Sequence, residues 1–551
     1  MYICKISICR FWVNNLNYFI KLLKLNFSLP LSIQVATNYF RKINSHKSRV
    51  SKKTILIQNA EDPYYFCLFG SIISEINRDG DFRVDQYIYR SFNVNESKNL
   101  IRFLLYRLTN LAFGVKWVRA YKSFAPFIGF KFAAFNPFCD VLDAILAFKC
   151  YRHIVSHEEL LGLSIKKIYV GDLINDTYLR FKPSPTLSLN DPYLFFLIWH
   201  AYRSIRTSKK YFSKTPPQFF LTSYSTYLQH GIAVRAALLN GVSVYSFGNY
   251  QEFSKKLNIE DFYHTKNPNN YRVEFDLLEN KSQCIHLAEE SFKRKLAGEV
   301  DHHFSYMKNS AYVPTEESIP TVRGASIIFL HDFFDSPHVY PGMIFHDFWD
   351  WICFTIDCLD SANLKYFVKP HPNQINLNDS VLSRLIKKYP HLKFISPKVT
   401  NIQLIDKGIV SAITVYGSVA HEMAYFGIPS IACAKHPHIS YSFCLTAGSK
   451  EEYKKLILEC QIIQDLDKSK MRRESLEFYY MHNLNLTNID YDLILAAHNL
   501  RTGCSKVGFD DVLDLTKLTK ILSSNDAFKK FCKNIYDETI SDEDQSIKQS
   551  T

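Results

Sequence analysis

IVSAITVYGSVAHEMAYFGIPSIAC, residues 409–433, carries the clearest architectural signal in the chain. It opens on an apolar run of strand length and breaks at Gly417-Ser418. Apolar residues then follow at helical spacing as far as Gly427, where a second apolar run begins. A strand over 409–415, a helix from Gly417-Ser418 through Phe426 and a strand over 429–433 make one strand-helix-strand step, the unit of parallel α/β structure. Upstream the same alternation predicts strands at 325–330 (ASIIFL), 364–369 (LKYFVK) and 392–395, with helices over 343–361 and 380–389. Downstream, 450–462 and 470–498 read as helices.

The first half repeats the pattern less regularly. Residues 218–222 (QFFLT), a helix over 227–240, a stop at Gly241 and a strand at 242–247 (VSVYSF) form a second such step, right-handed if its strands are parallel neighbours. Further strands are predicted at 54–58 (TILIQ) and 167–171 (KIYVG), with helices near 68–77 and over 191–206. Between the halves, 284–297 reads as an amphipathic helix and 298–323 as a connection. The expected fold is α/β, with two Rossmann-like open parallel-sheet domains facing a cleft. Residues 1–50 form a basic, aromatic N-terminal segment, 51–320 the first domain, 321–500 the second, and 501–551 a polar tail that frays at its end.

Composition agrees with a globular chain. Of 551 residues, 47% are hydrophobic and 22% charged, which excludes wholesale disorder, collagen and coiled coil. Lys+Arg number 66 against 53 Asp+Glu, a net charge of +13. No nucleic-acid recognition motif accompanies that excess, so no nucleic-acid partner is expected. The 13 cysteines are scattered singly without a CxxC, the pattern of a reducing compartment rather than of a disulfide or zinc scaffold. The first forty residues are too polar for a signal peptide or a spanning helix. Residues 99–135 join many aromatics to six cations with no acid, and two readings stay open: a segment lying on an anionic lipid surface, or buried helices with snorkelling cations. GxxxxGK[ST], GxGxxG after a strand, HExxH and GxSxG are all absent, removing the main support for P-loop, dehydrogenase, metalloprotease and hydrolase readings.

Four stretches fall at strand ends or helix starts, where open α/β sheets bind ligands. In FVKPHPN (367–373) a strand delivers Lys369, His371 and Asn373 into a loop stiffened by two prolines, which suits a phosphate. Gly417-Ser418 offers backbone N–H groups to an anion, or a plain cap, and Glu422 lies one turn further along the same face. HDFFDSPH (331–338), with His346, Asp347 and Asp350 behind it, supplies His331 or Asp335 as a base; its spacing matches no zinc or calcium pattern, and no metal is expected. In the first half His230 is a second candidate base, with Arg235, and Asp172 and Arg180 of GDLINDTYLR, as substrate-binding groups. Each of these residues also has an ordinary structural reading as a helix, turn or core residue.

The order KPHPN, then GS-x-x-x-E and G-x-P, resembles bacterial surface-carbohydrate biosynthesis proteins of the GT-B glycosyltransferase type. Relatives include capsule 3-deoxy-manno-octulosonate transferases, polysialyltransferases and CDP-glycerol glycerophosphotransferases. YLQHGIAVRAALLNGVSVYSFG, GDLINDTYLR and HDFFDSPHVYPGMIFHDFWDW extend the likeness over about residues 165–500. The resemblance implies transfer of a sugar or polyol phosphate from a CMP-, CDP- or UDP-linked donor to a glycan or lipid-linked acceptor. It implies no other cofactor, and a place in the cytoplasm at the inner face of the membrane. Lys369, His371 and Ser418 would meet the donor phosphates, Glu422 the ribose, and His230 would be the base. Two other functions remain open on this scaffold: a nucleotide-sugar 2-epimerase and a non-catalytic glycan-binding protein.

Overall fold

A computed structural model of the chain describes residues 20, 28–45, 53–89, 115–182, 184–249, 251–267, 269–298, 312–372, 377–463, 466–485, 488–506 and 514–550. The chain forms β1 (Lys53–Gln58), β2 (Phe82–Ile88) and β3 (Phe127–Lys131), then an antiparallel hairpin of β4 (Ser164–Ile165) and β5 (Ile168–Tyr169). β6 (Phe219–Thr222), β7 (Ser243–Ser246) and β8 (Lys255–Leu257) follow. The first sheet has the order β3-β2-β1-β6-β7-β8 and is parallel except for β8. The second consists of β9 (Ser326–Phe329), β10 (Tyr366–Lys369), β11 (Ser411–Ile413), β12 (Ser430–Ala432) and β13 (Cys444–Thr446). Its order is β10-β9-β11-β12-β13, parallel throughout.

Helices cover both faces of such sheets, so their strands read as unbroken apolar runs rather than as alternation. β6, β9, β11 and β12 are buried along their whole length. Side-chain caps set where the helices begin. Asp62 accepts the Tyr64 and Tyr65 N–H groups ahead of the Pro63–Ile76 helix, with proline at its first position. Asp347 accepts from Asp350 N–H, so the helix expected from 343 begins at Phe348.

Three expectations are corrected. KIYVG does not enter a main sheet. Lys166 and Lys167, both at positive φ, turn the chain into the small hairpin, and the Gly171–Phe181 helix follows directly. The strand at 392–395 is reduced to a single bridge, Val368 to Phe394. The polar end of the chain does not simply fray. Phe528, Cys532 and Ile535 of the Asp526–Ser550 helix, with Leu515 and Leu522 of the preceding one, enter the core that holds Phe66, Phe69 and Phe40. Residues 99–114 of the basic aromatic stretch lie outside the described residues. In the remainder, Trp117, Ala120 and Tyr121 of the Val115–Tyr121 helix are buried, whereas Phe127, Ile128 and Phe135 are exposed. No described helix is long and apolar enough to cross a membrane.

Candidate functional site

The C-terminal ends of four strands of the second sheet open into a cleft of about 810 Å³, a size suited to a small-molecule ligand. After β9 come His331, Asp332 and Asp335; at the end of β10, Lys369 and His371; after β11, Thr414, Gly417 and Ser418; and after β12, His436 and His438. The facing wall carries Arg180, Tyr224, Tyr227 and His264 from the first half.

Lys369 is the most unusual of these groups. Its side chain is only 4% exposed, over the Phe329 ring at 5.6 Å, and Nζ donates to Asn401 Oδ1 at 3.4 Å. Burial lowers the ammonium pKa to about 8, with the field of Glu422 acting the other way. Glu422 is engaged elsewhere. It accepts from Tyr312 Oη at 2.6 Å and from Asn401 Nδ2 at 2.8 Å, and Lys295 Nζ stands 3.5 Å away. The ribose role expected of Glu422 therefore competes with three protein donors, while Lys369 has no ion pair among the described residues. His371 also lines the cleft, and burial lowers its pKa against the pull of Asp332, with Lys369 adding to the lowering.

The turn after β11 is built tightly. Gly417 N–H donates to Thr414 Oγ1 at 3.2 Å, and a Cβ at position 417 would stand 2.7 Å from that oxygen, so a larger residue would displace the Thr414 hydroxyl. Ser418 is exposed, and it precedes a helix of only seven residues, Val419–Tyr425, without capping it through its side chain. An anion here would rest mainly on the two side chains from β10 rather than on a long helix dipole.

His331 also lines the cleft, but its lone pair is used. Val415 N–H donates to Nε2 at 3.3 Å and the Thr414 hydroxyl lies 3.0 Å from it. Burial drives its pKa down to about 3, leaving a neutral ring that holds the strand ends together. Asp335 is better placed as a base. It lines the cleft beside Arg180, is exposed to solvent, and accepts from Ser336 N–H at 2.9 Å. Arg180 itself bridges the halves, donating to Phe334 O at 3.2 Å. Nearby, Asp176 accepts from His338 N–H and pairs with His338 Nδ1 at 2.7 Å, so GDLINDTYLR and HDFFDSPH are brought together.

The other first-half candidates are placed differently. His230 is buried and does not line the cleft; Gln58 Nε2 donates to its Nδ1 at 2.6 Å, and burial brings its pKa to about 3. Arg235 and Asp172 satisfy each other as a bidentate pair, with Arg235 Nη1 also donating to Tyr169 O at 2.7 Å. These three residues join the core of the first half rather than the cleft wall. Asn373 lies outside the described residues.

Sequence reasoning gives His421 only a weaker place beside Glu422 and misses His438. Both line the cleft and are buried, and neither ring nitrogen of either has a hydrogen-bond partner among the described residues. Burial holds both well below the ordinary imidazole pKa, so each presents one donor and one acceptor without charge. The signal was available: KHPH at 435–438 follows a strand just as KPHP does. The cleft thus combines the Lys369 ammonium with buried imidazoles and the rings of Tyr416 and Phe478. Among the described residues no group of three His, Cys, Asp or Glu is arranged to hold a metal ion. No protein-family profile matches the chain, and no curated protein is significantly similar to it.

Proposed function

We propose that this chain is a glycosyltransferase-like enzyme of bacterial surface polysaccharide biosynthesis, of the two-domain GT-B type. It would move a sugar or polyol phosphate from a nucleotide-activated donor to a glycan or lipid-linked acceptor. The observation that carries the reading is Lys369, a buried ammonium at a strand end with no carboxylate in ion-pair contact among the described residues, only the more distant field of Glu422. Burying an uncompensated charge is costly, and such a group is retained where an anionic ligand completes it. The buried neutral imidazoles of His421 and His438 in the same cleft suit the uncharged, hydrogen-bonding remainder of a nucleotide sugar. The likeness of KPHPN and GSVAHE to capsule enzymes points the same way.

In this scheme an acceptor hydroxyl attacks the transferred group while Asp335 takes its proton. The bond to the nucleotide phosphate breaks with its electron pair leaving on the phosphate oxygen, and Lys369 and His371 stabilise the departing charge. The reading is tested by a thermal-shift screen against CMP, CDP, UDP, GDP and their sugar conjugates. A ligand of the native state raises the melting temperature. One nucleotide class should do so, and the shift should vanish in His371→Ala. No response across the panel, or an undiminished one in that variant, sinks the proposal.

A further inference from the structure

The Pro137–His153 helix is turned inside out relative to an ordinary surface helix. Its buried residues are Asp140, Asp143 and Ala147. Its exposed residues include Phe138 at 90%, Val141 at 63%, Leu142 at 58%, Ile145 at 49% and Phe148 at 55%. At 100° per residue these five fall on one arc of roughly 120°, which Lys149 and Arg152 continue at the C-terminal end. The polar face is fixed from below. Arg206 Nε donates to Asp143 Oδ2 at 2.7 Å and Arg203 pairs with Asp140 at 3.0 Å, both from the Pro192–Lys214 helix. Trp199 Nε1 donates to Asp140 O at 3.1 Å. The ion pairs lock the helix in the rotation that presents its apolar side outward; an exchange of faces would bury that side and strand two arginines.

We infer that this outward face docks on a bilayer containing anionic lipid. A contiguous apolar stripe on a monomer's surface marks an interaction site, and charge selects among the occupants. Between Phe127 and His157 the only acids are Asp140 and Asp143, both buried and neutralised by arginine. The exposed charges over that span are Lys131, Lys149 and Arg152, with His153 beside them. Aromatic and aliphatic residues along an arc with cations at its border form the pattern of a helix lying in the interface plane. A second copy of the chain would meet the same cations with no free carboxylate from 127 to 157 to answer them, the exposed Glu158 and Glu159 lying beyond the helix on the next one. The inference stands on this helix alone and does not depend on the cleft.

The test is flotation of the full chain with vesicles of phosphatidylcholine, alone or with about 30 mol% phosphatidylglycerol. The wild type should partition onto the anionic vesicles at least about tenfold better than onto the neutral ones. F138E/I145E should abolish partition with an unchanged melting temperature, since both side chains are exposed. K149E/R152E should remove the preference for the anionic lipid. Equal partition of the wild type onto both vesicles, or undiminished binding by F138E/I145E, overturns the inference. So does size-exclusion evidence of a dimer that F138E/I145E dissociates, which would assign the face to a second copy.

Discussion

Replacing Lys369 by Met should make the ligand-free protein more stable while removing its capacity to hold a nucleotide. The lysine is nearly fully buried and its pKa falls from the ordinary 10.5 to about 8. That gap corresponds to at most about 3 kcal/mol by which the native state is disfavoured at pH 7, because the unfolded chain keeps its ammonium hydrated. Methionine keeps the length and flexibility of the side chain and forfeits the contact over Phe329 and the weak bond to Asn401, together about 1 kcal/mol. The expected net gain is about 2 kcal/mol at pH 7. Between pH 8 and 10.5 the unfolded state binds more protons at this site than the native state, so wild-type stability rises with pH through that window. The advantage of the variant should therefore shrink by about 2 kcal/mol on going from pH 7 to pH 10. Urea unfolding followed by tryptophan fluorescence measures both quantities, Trp351 being buried in the core of the second half. A variant less stable than wild type at pH 7, or an advantage equal at both pH values, would refute the argument that Lys369 is an uncompensated charge.

Two further outcomes follow from the same geometry. Nucleotide affinity should be flat from pH 7 to about 8 and then fall about tenfold per pH unit as Lys369 loses its proton, while Lys369→Arg should remove that decline; titration calorimetry across the range reads it. Arg235→Leu should cost about 3–5 kcal/mol in urea unfolding by leaving Asp172 buried and unpaired, and adding Asp172→Leu should recover most of the loss.

The second half was the more legible because its strands are buried on both faces and punctuated by Gly427, Pro370 and Pro372. β2 was missed for the opposite reason. Its sequence, FRVDQYI, carries a buried Asp85 and Gln86, which read as surface residues until their partners are known. Tyr211 donates to Asp85 at 2.9 Å, Asn59 donates to Gln86 at 2.8 Å, and Gln86 donates to Ala125 O at 2.6 Å, all from distant parts of the chain. The site divides along the same line. Lys369 and His371 are marked by their local setting between strand and prolines. That Arg235 is consumed by Asp172, sixty-three positions away, is a relation between distant residues that no periodicity records. The burial of His230 is hidden in the same way, since its partner Gln58 sits on β1.

The helices flanking the sheets at both ends of the described chain, Leu31–Ile43 and the three after residue 488, share one core with β1 and β6. The second sheet is thus threaded into a first unit that is discontinuous in sequence. During synthesis the elements from β9 to β13 emerge and can close their own core while the first unit still lacks Leu515, Leu522, Phe528 and Ile535. A ribosome-bound chain halted before residue 514 would then leave the outer apolar side of the Pro63–Ile76 helix partly uncovered, a natural target for chaperones and proteases.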